Sequence, residues 1–125
     1  MLDNLKSMAS LGGLLKDLPK IKERMATLKE KLGRQTVTGE TGGGAVRVTA
    51  TGLLRVVSIE VDPAMLAGLV DANDPQDKAM AEGLIAGAVN TALQKARELA
   101  EKEAAAAAGE MGLPFPTGGL GGLLS

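Results

Sequence analysis

Three groups of side chains in this 125-residue sequence have the types and spacing to do chemistry. Glu60 and Asp62 lie two apart, and so on one face of a strand, as a carboxylate pair or a hard-cation site would. Asp62, however, stands directly before Pro63 and reads as a helix cap. The run Glu40-Thr41-Gly42-Gly43-Gly44 has the glycine content of a phosphate loop but lacks the Gly-Lys-Ser/Thr and the helix that should follow, so it reads as a hairpin turn. The third group is cationic: Lys22, Arg24, Lys29 and Lys31 recur along one helix-forming stretch, where the available chemistry is ion pairing or phosphate neutralisation.

The absences narrow the field further. With no Cys and no His, the chain offers no thiolate nucleophile, disulfide, Cys/His zinc site, haem ligand or imidazole proton shuttle. No nucleophile stands beside a plausible base, so no enzyme, metal, cofactor or small-molecule substrate is expected. Trp and Tyr are missing and Phe115 is the single aromatic, which removes any platform for stacking single-stranded bases. Apolar residues at 45% and charged residues at 23% match an ordinary soluble domain, and the length suits one small domain. The longest apolar runs fall far short of the roughly 20 residues a bilayer span needs, so no membrane association is expected. Asp3, Lys6 and Lys16 interrupt any signal-peptide core, which makes the cytoplasm the expected compartment.

The elements that must position these groups follow from periodicity. Leu11, Leu14, Leu18, Ile21, Met25, Leu28 and Leu32 fall at steps of three and four, which predicts an amphipathic, coiled-coil-like helix over about residues 14–32, with residues 1–13 a flexible lead. Pro19 suits a first turn, so the regular helix is expected to begin near Leu18, and Gly33 supplies the stop. From Gln35 the period changes to two: Thr36-Val37-Thr38, then Val46 to Thr51, then Leu54 to Val61 make three strands of an antiparallel meander. Val46, Val48 and Ala50 share one face, and Val57, Ile59 and Val61 are expected to share the corresponding buried face of the third strand. Asp62-Pro63 opens a short helix through Leu69. Residues 77–108 form a long helix whose broad apolar face continues to Leu99. The domain thus covers residues 14–108. The tail, residues 109–125, is rich in Gly, Pro and Leu and is expected to be disordered.

Size and charge then suggest an assembly. A helix of about 30 residues spans roughly 45 Å, whereas a compact chain of this length has a radius of gyration of about 14 Å. The small sheet cannot cover such a helix, and a three-stranded sheet leaves two open edges, so a homodimer with projecting helices is expected. Residues 1–34 carry eight basic and four acidic side chains, a net of +4, while residues 35–125 carry six basic and eleven acidic ones, a net of −5. With Leu18 and Met25 as a positions, Lys22 and Lys29 fall at e and Arg24 and Lys31 at g, so both flanks of the seam are positive. Two such helices paired in parallel would repel. An acidic partner fits: either the end of the long helix, with Glu98, Glu101 and Glu103, or a phosphate backbone. Composition alone favours the internal partner.

Four blocks occur in order: Val37-Thr38-Gly39-Glu40, Gly44-Ala45-Val46-Arg47-Val48-Thr49, Ile59-Glu60-Val61-Asp62-Pro63, and Leu84-Ile85-Ala86-Gly87-Ala88-Val89-Asn90-Thr91-Ala92. Following a heptad-like helix and preceding a Gly/Pro/Leu tail, they closely resemble the YbaB/EbfC family of bacterial nucleoid-associated proteins. The resemblance implies an α+β homodimer whose long helices project like tweezer arms and which binds double-stranded DNA in the nucleoid. Carried onto this chain, the contacts would be drawn from Lys20, Lys22, Arg24, Lys29 and Lys31 on the first helix and Lys95, Arg97 and Lys102 on the long one. The departure is charge: a pI near 5.5 favours weak, salt-sensitive phosphate contacts with little sequence specificity. The rival reading is a dimeric adaptor whose arms or Leu-rich tail bind another protein.

Overall fold

A computed structural model describes the backbone of residues 2–71 and 73–112, with side chains from residue 15 onward. The order is α1 (Leu2–Arg34), β1 (Thr36–Thr41), a single 3-10 turn (Gly42–Gly44), β2 (Val46–Thr51), β3 (Val56–Val61), α2 (Pro63–Leu69) and α3 (Pro75–Glu110). This is the predicted α+β plan of helix, three-stranded antiparallel meander, short helix and long helix.

α1 departs from the expectation in where it starts. The spacing put its first turn near Leu14 or Leu18, yet the helix runs from Leu2 through Gly12-Gly13 and Pro19. Pro19 lacks the N–H that would bond the carbonyl one turn back, but residues 15–20 are all exposed, so water can take that carbonyl's hydrogen bond. Residues 2–13, expected as a flexible lead, are therefore part of α1. Of the tail expected to be disordered, Gly109 and Glu110 end α3, and residues 113–125 lie outside the described residues.

The sheet order is β1-β2-β3, with Val37 opposite Ala50 and Gly39 opposite Val48 on one side of β2. Gly42 and Gly44 close the first hairpin at φ of 64° and 102°, the second a value that side chains rarely tolerate. The predicted hairpin turn replaces any phosphate loop. Val46, Val48 and Ala50 pack against Ala88, Ala92 and Ala96, all fully buried. Those three alanines, spaced by four, make one narrow stripe along α3. Small side chains let the helix settle onto the sheet so closely that a Cβ at Gly39 would lie 2.4 Å from the Ala92 nitrogen and 2.5 Å from the Ala88 oxygen.

Two loop carboxylates start the later helices. Asp62 accepts hydrogen bonds from the Ala64 and Met65 nitrogens at 3.0 Å and so caps α2 as predicted. Asp74 accepts from the Gln76 nitrogen at 2.9 Å and caps α3, with Pro75 in its first turn.

β3 corrects the reading of a buried third strand. The register shifts between Thr49 and Ala50, so Val56 rather than Val57 pairs with Ala50. α3 lies over β1 and β2 and leaves β3 bare: Val57, Ile59 and Val61 are 59%, 49% and 39% exposed. Met65 and Leu69 of α2 and Met80 of α3 are also exposed. The chain thus leaves a contiguous run of valine and isoleucine uncovered on an edge strand.

Candidate nucleic-acid interface

α3, with 36 residues, spans roughly 54 Å at a rise of about 1.5 Å per residue, while a six-residue strand reaches only about 20 Å. Its C-terminal half therefore leaves the sheet. It meets α1 there. The end of α1 is pinned to the sheet because the Gly52 nitrogen donates to the carbonyls of Leu32, at 3.0 Å, and Gln35, at 3.1 Å. A Cβ at Gly52 would stand 2.8 Å from a methyl carbon of Leu32, so the turn between β2 and β3 seats directly under the helix end.

From that anchor α1 and α3 run antiparallel as an arm. Lys31 Nζ donates to Glu103 Oε2 at 2.7 Å, and Arg24 Nη1 to Glu110 Oε2 at 3.3 Å. Each pair is seven residues from the other on both helices, two turns, which is the repeat of a coiled-coil flank. Between the pairs, Thr27, Leu28, Ala106 and Ala107 line a shallow groove, so alanine on α3 again sets the close spacing. Ile21 and Met111 line a second recess where α3 ends. α1 continues beyond, with Leu15 68% and Leu18 41% exposed.

The eight expected DNA-contacting residues divide by what they touch. Lys20, Lys22, Lys29 and Lys102 are exposed and have no ion pair or hydrogen bond among the described residues. Arg24 and Lys31 are held by Glu110 and Glu103. Lys95 donates to the Thr38 carbonyl at 3.0 Å, which ties α3 to the outer edge of β1. Arg97 is half-buried, and its Nε has no hydrogen-bond partner among the described residues. Lys22 and Lys29, seven apart, share one face of α1, and Arg24 and Lys31, also seven apart, share another. α1 thus carries two cation rows, one free and one spoken for.

The electrostatics agree with the geometry. The Lys31 ammonium is held above its ordinary value, first by its hydrogen bond to Glu103 and then by that carboxylate's charge. The Glu103 carboxyl is held below its ordinary value, first by the same hydrogen bond, with Gln35 and the charges of Lys31 and Lys102 adding to it. The internal acidic partner favoured by composition is therefore real for this row. Glu103 was among the acids named; Glu110 was not, although its seven-residue spacing from Glu103 matches that of Arg24 and Lys31. Glu98 accepts instead from Gln94 on its own helix at 3.3 Å. Elsewhere, Arg47 pairs with Glu40 at 2.9 Å across the hairpin, and no cluster of three metal-binding side chains occurs among the described residues. No described helix is long and apolar enough to cross a membrane.

Comparison with known proteins gives a consistent picture. Residues 8–111 match the model of the YbaB/EbfC DNA-binding family. A nucleoid-associated protein of Moorella thermoacetica is 38% identical over 107 residues, covering 86% of this chain and 96% of that protein. One from Anaeromyxobacter sp. strain Fw109-5 is 40% identical over 105 residues, covering 84% of this chain and 95% of that protein. Among solved structures, an uncharacterized protein from Helicobacter pylori superposes with a TM-score of 0.53 at 25% identity, over 70% of this chain and 93% of that one.

Proposed function

The chain belongs to the YbaB/EbfC DNA-binding family, and from that premise we propose that it binds double-stranded DNA as a homodimer, chiefly through phosphate contacts from its helical arms, and helps organise the cytoplasmic nucleoid or modulate gene expression. The observation that carries the reading is the free cation row, Lys22 and Lys29 on one face of α1, to which Lys20 and Lys102 add at other places on the two arm helices, all exposed and unpaired among the described residues. Lysines so placed neutralise phosphates and release counterions. The free cations of the arm are lysines, which act on phosphate as point charges, and the arm has no aromatic side chain, which favours binding that is indifferent to sequence.

The dimer is argued from β3. Its bare face of Val57, Ile59 and Val61, together with Met65 and Leu69, would aggregate in water unless covered. A second copy offers the same surface, which is what an isologous two-fold contact requires. Dimerisation would double the number of arms, and two arms hold one duplex through twice as many weak contacts.

The test is a titration of random-sequence duplex with the wild type and with Lys22→Ala/Lys29→Ala. The double variant should bind all sequences more weakly by a common factor, with the slope of log K against log salt reduced by about 0.9 for each phosphate it no longer neutralises, and should remain a dimer. Unchanged affinity would remove the free row from the interface. Absence of binding by the wild type would favour the adaptor reading.

A further inference from the structure

We propose that Glu103 and Glu110 set the affinity of this protein for DNA by occupying, in the free arm, the two cations of α1 that a phosphate backbone would otherwise take. This inference rests on the reading of DNA as the partner. Arg24 and Lys31 are the α1 cations that the resemblance adds to the free row, yet each already touches a carboxylate, at 3.3 and 2.7 Å. Glu103 Oε2 takes one of the three N–H donors of Lys31 in a charge-assisted hydrogen bond of ordinary short length and offsets its charge, so a phosphate oxygen gains less at Lys31 Nζ than at a free lysine and competes with the carboxylate for it. Binding by this row is then in competition with an internal anion, whereas binding by Lys22 and Lys29 is simple addition.

The two internal pairs are not equal. Glu103 is mostly covered, its side chain 18% exposed. Glu110 stands at the last turn of α3 with its side chain 66% exposed, opposite an arginine at 57%, so water and salt screen it well. The pair at the tip opens first and the pair nearer the sheet resists. The consequence is a graded arm: the free row engages phosphate at the outset, Arg24 follows, and Lys31 is released last. The same arrangement gives the chain's acidity a role. Glu103 and Glu110, facing the cation row across the arm, lower affinity by direct competition, whereas the other nine acidic residues of positions 35–125 act through the long-range field.

The experiment compares the full-length wild type, Glu103→Gln, Glu110→Gln and a charge-matched control, Glu82→Gln, in binding to random-sequence duplex across a salt series. Glu82 is exposed and has no ion pair among the described residues. Glutamine keeps the shape and a hydrogen-bond acceptor, and dimer state and thermal melting are measured for each variant. Glu103→Gln should tighten binding about fivefold and Glu110→Gln about twofold, as expected for ion pairs of this exposure, and each should steepen the salt slope by about 0.9. Glu82→Gln should leave the slope unchanged. Equal tightening by all three variants would reduce the effect to net charge and overturn the proposal, as would variants that bind like a wild type that itself binds. Failure of every protein to bind at low salt would overturn the DNA reading and this inference with it.

Discussion

Replacing Gly39 by alanine tests the contact on which the whole arm depends, because α3 reaches the arm only by way of its seat on β1 and β2. The new Cβ would lie 2.4 Å from the Ala92 nitrogen, 2.5 Å from the Ala88 oxygen and 3.0 Å from the Ala92 Cα. All three are backbone atoms of a helix and cannot rotate away, so helix and strand must part by about 1 Å to restore ordinary contact. That separation loosens Val46, Val48 and Ala50 from the Ala88, Ala92 and Ala96 stripe, the fully buried centre of the domain. Overpacking of this kind costs about 1–3 kcal/mol, and the rigidity of the colliding atoms places this case at about 3. Loss of glycine's freedom in the unfolded chain returns about 0.4–1 kcal/mol. The net destabilisation is about 2–3 kcal/mol, or roughly 10–20 °C in Tm for a domain of this size. The assay is urea and thermal unfolding followed by circular dichroism at one fixed protein concentration, since any dimer makes stability concentration-dependent. Gly83→Ala is the internal control: its Cβ would meet nothing within 4 Å, and helix propensity alone should stabilise it by up to about 1 kcal/mol. A Gly39→Ala protein within about 0.5 kcal/mol of the wild type would refute the close seat of α3.

Other expectations follow from the same geometry. Ile59→Glu, on the bare face of β3, should give a folded monomer by analytical ultracentrifugation; an unchanged dimer would place the interface elsewhere. Asp62→Ala removes the acceptor of two backbone N–H groups at the start of α2 and should cost about 1 kcal/mol in urea unfolding, with no effect expected if α2 is dispensable. The arm pair should show a pH window. Glu103 is lowered from 4.5, so its contribution is complete above that value and is lost as pH falls through its folded value. Lys31 is raised from 10.5, so its share is complete below that value and fades as pH rises through its folded one. In a carbon-detected NMR titration, Lys31→Met should therefore move the Glu103 carboxyl upward, and no movement would remove the pair.

Local chemistry made much of the fold legible. The Asp62-Pro63 break, the glycine turn and the buried parity of Val46, Val48 and Ala50 each depend on residues within one turn or one strand. The start of α1 was not legible, because Gly12-Gly13 and Pro19 carry strong local signals against a helix that the structure nonetheless contains. The exposure of β3 was hidden for a different reason. Alternation tells which residues share a face, but only the placement of α3 decides whether that face is covered, and the shift at Thr49/Ala50 altered the pairing as well. The cation row was visible as a row. Its division into free Lys22 and Lys29 and occupied Arg24 and Lys31 depended on which flank of α1 turns toward α3, although the matching seven-residue spacing of Glu103 and Glu110 held the clue.

Binding of duplex DNA by the arms through its phosphates is the step on which the proposed function depends. The decisive experiment determines the affinity of the purified protein for random-sequence duplex from about 20 to 200 mM salt, with the oligomeric state measured in the same buffers. The expected result is a dimer whose log K falls linearly with log salt, with a slope that corresponds to several neutralised phosphates and does not change when the sequence of the duplex is changed. A dimer that fails to bind at the lowest salt, or that binds with an affinity insensitive to salt, would rule out phosphate binding by the arms.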